Sequence, residues 1–123
     1  MAKILVVDDE ERIRDILVEF LTRMGFEVIE ADGGEKALGL LQNDNKIDLM
    51  ILDMKMPQFS GIEVLKRKNE MKDGRPVILL TGTVSQENFE VLGFSMEDVI
   101  YKPFDLFSIL MMIKKKLLIY SKS

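Results

Sequence analysis

The sequence predicts an α/β domain: a doubly wound sheet of five parallel strands in the order 2-1-3-4-5, each strand followed by a helix. Three observations carry this. The runs Ile4-Leu5-Val6-Val7, Leu49-Met50-Ile51-Leu52 and Val77-Ile78-Leu79-Leu80 are apolar at both parities, as strands covered on both faces are. Stretches of helical periodicity alternate with the strands throughout. The 123 residues suit one domain with its own core, without repeats, linkers or low-complexity tracts. Right-handed crossovers then give the doubly wound sheet, with its switch point between strands 1 and 3. The domain is expected to span residues 1–123.

Strand 1 ends in Asp8-Asp9. Ile13, Ile16, Leu17, Phe20, Leu21 and Met24 recur at three and four residues, one face of an amphipathic helix, with Gly25 as its stop. Phe26, Val28 and Ile29 make a second strand with more polar neighbours, expected nearer the sheet edge. Asp32 and Glu35 have capping-box spacing before a helix carrying Ala37, Leu38 and Leu41. Asn43-Asp44-Asn45 turns into strand 3, residues 49–52, which runs into Asp53. Ser60 and Glu63 start a third helix with Ile62, Leu65 and a polar outer face. Asp73-Gly74-Arg75-Pro76 turns into strand 4, which ends in Thr81. Ser85 caps a short helix bearing Phe89 and Leu92, and Val99-Ile100-Tyr101 forms strand 5 ahead of Lys102-Pro103. A last helix runs from about Asp105 to about Ile119.

Composition narrows the chemistry. Cysteine is absent, which excludes disulfides, thiolate zinc sites and a cysteine nucleophile. Histidine is absent too, so any metal must be held by oxygen, and a hard cation such as Mg²⁺ is favoured. The net charge of −4 argues against direct nucleic-acid binding by this domain. With no basic-then-apolar leader and no long apolar run, a cytoplasmic location away from membranes is expected.

Four strands end in residues able to do chemistry: Asp8-Asp9, Asp53, Thr81 and Lys102. Parallel strands bring those ends to one edge, the ligand-binding edge of open α/β sheets. Each residue has a plainer reading: Asp8-Asp9 as a helix cap, Asp53 as a turn residue, Thr81 as a β-branched strand residue, Lys102 as a solvated lysine. Their conjunction on one edge favours a site. Two carboxylates about 4 Å apart repel by about 4 kcal/mol at an effective dielectric near 20, which a divalent cation relieves. Three side chains cannot fill an Mg²⁺ shell, so backbone carbonyl and water should complete it. A metal beside a strand-end Asp can bring in a phosphoryl group, with Asp53 as nucleophile, Lys102 as a point charge and the Thr81 hydroxyl as donor.

The motifs Val6-Val7-Asp8-Asp9-Glu10, Leu52-Asp53-Met54-Lys55-Met56-Pro57 with Ser60-Gly61, Leu80-Thr81-Gly82 and Lys102-Pro103-Phe104 are similar to those of the receiver domains of two-component response regulators, which have the flavodoxin-like fold. The resemblance covers essentially the whole chain. It implies that Asp53 accepts a phosphoryl group from a histidine kinase or phosphotransfer protein. It implies that Asp8, Asp9, Asp53 and the Lys55 backbone carbonyl hold Mg²⁺, and that Thr81 and Lys102 bind phosphoryl oxygens. It also implies a cis Lys102-Pro103 bond, and self-phosphorylation with slow autodephosphorylation rather than turnover as an enzyme.

Two departures stand out. The aromatic switch residue usual three positions before the strand-5 lysine is Val99 here, and Tyr101 has the same strand parity. Gly93-Phe94-Ser95-Met96 lacks the usual small residues. The rivals fit less well. An FMN-binding flavodoxin-like carrier needs a Ser, Thr and Gly loop where Asp8-Asp9-Glu10-Glu11 stands, and a haloacid-dehalogenase-type phosphatase needs an Asp where Lys55 stands. A phosphorylation-independent docking module would not need the complete site. In the last helix Leu106, Ile109, Leu110, Ile113 and Leu117 form the core stripe; Phe107, Met111 and Leu118 form a second, about 125° away, expected exposed beside Tyr101. The resemblance points to the fourth helix, fifth strand and fifth helix as the face for a phosphorylation-dependent homodimer or downstream target.

Overall fold

The strands pair in parallel in the order β2-β1-β3-β4-β5. They are β1 (Lys3–Val7), β2 (Glu27–Ala31), β3 (Leu49–Asp53), β4 (Val77–Thr81) and β5 (Val99–Tyr101). The computed structural model describes residues 1–82 and 93–122. Among these, the helices are α1 (Glu11–Arg23), α2 (Gly34–Asn43), α3 (Gly61–Glu70) and α4 (Leu106–Lys122), with a 3₁₀ turn at Met96–Asp98 before β5. The helix expected from Ser85, with Phe89 and Leu92, lies outside the described residues.

The doubly apolar runs explain the layering. Leu5, Val7, Met50, Leu52 and Leu79 pack on one face against Ala37 and Leu41 of α2 and Val64 of α3. Their alternate neighbours Ile4, Val6, Leu49, Ile51, Ile78 and Leu80 pack on the other against Leu17 and Leu21 of α1 and Ile109 and Ile113 of α4. β1, β3 and β4 are therefore filled on both sides, while edge strand β2 keeps exposed Glu27 and Glu30.

Local signals place most boundaries. Gly25 at φ 95° ends α1, with its N–H donating to Thr22 O and that of Phe26 to Leu21 O, a Schellman closure. Ser60 caps α3 by accepting from the Glu63 N–H at 3.4 Å. Asp105 caps α4, its Oδ1 accepting from the Phe107 N–H at 2.8 Å. The Asp32–Glu35 capping box does not form: Gly33, extended at φ −172°, takes the N-cap position of α2 without a side-chain cap.

The helix faces match expectation in part. On α1, Leu17 and Leu21 are buried, whereas Ile16 and Met24 sit at the border of the stripe and are exposed. Lys68 is not on a solvated face of α3; it is buried one turn beyond Val64 and Leu65. The two stripes of α4 are as expected, with Ile109, Leu110 and Ile113 buried and Phe107, Met111 and Leu118 exposed. Tyr101, however, packs with Val99 and Phe94 in the cluster under α2 and α3, on the opposite sheet face from the α4 core stripe. The cause is strand parity: Ile100, between them, is the β5 residue that turns toward α4.

Candidate functional site

The site follows from the register of β1 against β3. Val7 pairs with Leu52, so the next residues, Asp8 and Asp53, emerge side by side at the C-terminal sheet edge. Both are buried, and Asp9 beyond them is exposed. One carboxylate oxygen from each of Asp8, Asp9 and Asp53 lies within 4.8 Å of the other two.

The two buried carboxylates share a pattern. Asp8 Oδ1 accepts from the Glu10 N–H at 2.9 Å, and Asp53 Oδ1 accepts from the Lys55 N–H at 3.1 Å. Each is an Asp bonding the backbone two residues on, which holds one oxygen inward to its own loop. The other oxygens face Lys102, whose Nζ is 3.5 Å from Asp8 Oδ2 and 3.5 Å from Asp53 Oδ2, with Glu10 Oε1 at 3.8 Å. Asp8 Oδ2 is fully buried and has no hydrogen-bond partner among the described residues. A buried, undonated anionic oxygen within reach of two further carboxylates suits a hard divalent cation, since all donors are oxygen.

The electrostatics agree. Burial pushes the Asp53 carboxyl up to about 7; the Lys55 N–H draws it down, the Asp8 carboxylate adds to the rise and the Lys102 ammonium opposes it. Burial works against the Lys102 ammonium, yet Asp53, Asp8 and Glu10 together outweigh it and hold its pKa above the ordinary lysine value. The folded site thus carries an unrelieved negative excess that Lys102 alone does not remove.

Thr81 is buried at the end of β4, and its carbonyl accepts from the Lys102 N–H at 2.8 Å. β4 therefore ties β5 and its lysine to the β3 edge, where the Met54 N–H donates to Leu80 O at 2.8 Å. The Lys102–Pro103 bond is cis. Lys55 is exposed in the loop after Asp53, and Val99 and Tyr101 lie beneath the edge on β5, the first buried and the second half-buried. That loop folds back closely enough to require glycine at 61: a Cβ there would come within 2.6 Å of Met54 Cα and 3.1 Å of Asp53 O. Beside Asp9 the site opens into a groove of ≈ 490 Å³ lined by Gly33, Gly34, Met56, Pro57 and Phe59.

All of Asp8, Asp9, Asp53 and Lys102 are thus brought together, with Thr81 on the adjoining strand end. Two further charged residues reach the site, with no role there expected from the sequence. Glu10 lies close to Lys102, and Arg14 on α1 donates to the Asp8 carbonyl. The spacing Asp8–Arg14 across a loop and one helical turn is the available signal, but the arginine's partner on β2 is visible only once the strands are in register. Among the described residues no helix is long and apolar enough to cross a membrane.

Comparison with known proteins gives one family. Residues 4–114 match the response regulator receiver domain. The chain is 43% identical over 107 residues to the transcriptional regulatory protein CpxR of Escherichia coli strain K12, covering 85% of this chain and 44% of that protein. It is 42% identical over 104 residues to the alkaline phosphatase synthesis transcriptional regulatory protein PhoP of Bacillus subtilis, covering 83% of this chain and 42% of that protein. The chain therefore spans less than half the length of these curated relatives. Among solved structures, a CheY-like response regulator receiver domain protein from Methanospirillum hungatei superposes with a TM-score of 0.87 at 31% identity, covering 99% of this chain and 98% of the other.

Proposed function

The chain belongs to the response regulator receiver domain family of two-component signal transduction, and from that premise we propose that it is a phosphoacceptor: residues 1–123 form a receiver that takes a phosphoryl group onto Asp53. The single observation that carries this reading is the pair of buried carboxylates whose free oxygens, Asp8 Oδ2 and Asp53 Oδ2, converge on Lys102 at 3.5 Å with Asp9 in reach. A histidine kinase or phosphotransfer protein is the proposed donor.

Asp53 Oδ2 is the nucleophile. It forms a bond to phosphorus as the bond from phosphorus to the donor nitrogen breaks, and the electron pair leaves with the donor imidazole. The Lys55 N–H holds Oδ1 and so orients the carboxylate. Lys102 favours the ionised nucleophile and then pairs with a phosphoryl oxygen. The Thr81 hydroxyl donates to another. Asp8, Asp9, Asp53 and the Lys55 carbonyl would hold Mg²⁺, which would supply positive charge against the carboxylates and the transferring group. The groove beside Asp9 leaves one side of the site open.

Occupied Thr81 is the proposed origin of the signal, through Val99 and Tyr101 on the adjoining strand, to a face that includes β5 and α4 and binds a second copy or a downstream target. The charge of −4 argues against direct nucleic-acid contact by this domain itself. Incubation with Mg²⁺ and acetyl phosphate, followed by intact mass, tests the reading. The mass of one base-labile phosphoryl group should be gained, and the gain should disappear on removal of Mg²⁺. A gain that persists with the metal chelated overturns the site as described.

A further inference from the structure

We propose that Arg14 is a positioning residue that clamps the Asp8 backbone so that Asp8 Oδ2 is aimed at the cation. The inference rests on the cation site proposed above. Arg14 lies in the first turn of α1, and its guanidinium makes two contacts: one nitrogen donates to the Asp8 carbonyl at 2.8 Å, and Nε donates to Glu30 Oε1 at 3.0 Å. Glu30 pairs in register with Val6 on β1, so it stands on the neighbouring strand just short of Asp8. The Arg14 side chain is largely covered, 14% exposed.

The reason for a clamp is visible in what the rest of Asp8 does. Its N–H donates to Ala31 O at 3.2 Å, and its Oδ1 accepts from the Glu10 N–H. The Glu10 carbonyl in turn accepts from the Ile13 and Arg14 N–H groups at 3.1 Å each. With the carbonyl held by Arg14, every polar group of Asp8 is hydrogen-bonded except Oδ2, which has only the 3.5 Å ion pair with Lys102. Fixing the groups on both sides of Cα fixes the direction of the carboxylate, which the long ion pair to a flexible lysine alone would not do.

Glu30 has a second effect. A bare guanidinium beside the Asp8 carbonyl would repel an incoming cation. Its pairing with Glu30 neutralises that charge while leaving the hydrogen bond to the carbonyl in place. Partners that orient ligands in this way typically alter metal affinity by about 10–100-fold when removed.

The test is the Mg²⁺ concentration that half-completes the thermal-stability shift, measured on the full chain without any phosphodonor. Arg14→Met, which keeps the aliphatic packing, should raise that midpoint about tenfold. Arg14→Lys, which restores one donor for the carbonyl, should stay within about threefold of wild type. Arg75→Ala, at the opposite sheet edge, should lower the melting temperature without moving the midpoint. Glu30→Ala should also raise the midpoint through the exposed guanidinium charge, and Arg14→Leu replaces Arg14→Met as the test if that variant does not fold. A wild-type midpoint in Arg14→Met, or in Arg14→Leu where that variant stands in, overturns the role of Arg14. So does an equal rise in Arg75→Ala. A wild-type protein with no Mg²⁺ response overturns the cation site itself.

Discussion

The Lys102 ammonium lies 3.5 Å from Asp53 Oδ2 and does not hold Asp53 exclusively, because Asp8 Oδ2 is at the same distance. A cation shared between two buried carboxylates offsets each only in part. Its removal should therefore separate metal binding from chemistry. Lys102→Ala should fold and bind Mg²⁺ at least as tightly as wild type, since the site becomes more negative. Its labelling by acetyl phosphate should slow roughly 100-fold, the usual cost of losing one preorganised partner of transition-state charge. Metal titration and labelling rates on the same preparation check this, and weaker Mg²⁺ binding would count against the shared pairing.

The raised pKa of Asp53 makes a signed prediction for the metal-free protein. Its folded value of about 7 lies above the ordinary 3.8. Between those values the folded state keeps a proton that the unfolded chain has released, so stability falls as pH rises through this window and levels off above it. Asp53→Asn cannot ionise. It should match wild type near the lower end and melt several degrees higher above pH 7. Mg²⁺ should close most of that gap in wild type at pH 8. Melting curves across the pH range test it; a gap that widens toward acid would contradict the assigned cause.

Gly61 lets the loop after Asp53 close on itself, and its N–H donates to Met54 O at 3.1 Å. A methyl group there meets backbone, which cannot swing aside. Gly61→Ala should cost about 1–3 kcal/mol, measured by chemical denaturation. Because the obstructed atoms adjoin Asp53, labelling should fall as well, by more than in a variant equally destabilised elsewhere.

The opposite sheet edge supplies such a variant. The Arg75 guanidinium donates to the carbonyls of Leu41 at 2.5 Å and Asp44 at 2.8 Å and to the Asp73 carboxylate, while Lys68 Nζ donates to Asp73 O and Arg75 O. These bonds lace the connection before β4 to the one before β3. Arg75→Ala should lower stability by about 2–4 kcal/mol, through several lost charge-assisted bonds and carbonyls left unsatisfied. Chemical denaturation measures it, with acceptance of phosphoryl groups at saturating Mg²⁺ unchanged.

These cases show where sequence is informative. Asp53 is legible because four apolar residues run into it, and the site because strand ends of a parallel sheet converge. The alternation gives a parallel, doubly wound sheet, and five strands suggest the order 2-1-3-4-5 that the pairing shows. What is not legible depends on three-dimensional neighbours. Arg14 and Glu30 meet only because β2 pairs with β1 in one register. Lys68 reads as a polar helix residue, and only the carbonyls of Asp73 and Arg75 make its burial tolerable. Asp32 competes for a cap that Gly33 takes by adopting an extended backbone. Tyr101 shares its parity with Val99, which places it under α2 and α3; the apolar stripe on α4 needs a route that does not run through the α4 core.

Asp53 is the residue proposed to receive the phosphoryl group. The direct measurement is site mapping after labelling with Mg²⁺ and acetyl phosphate: borohydride reduction of the acyl phosphate, proteolysis and peptide mass spectrometry. Reduction is expected at Asp53 alone, with none in Asp53→Asn. Reduction at Asp8 or Asp9 in the wild-type protein, or an equal label in Asp53→Asn, would contradict it.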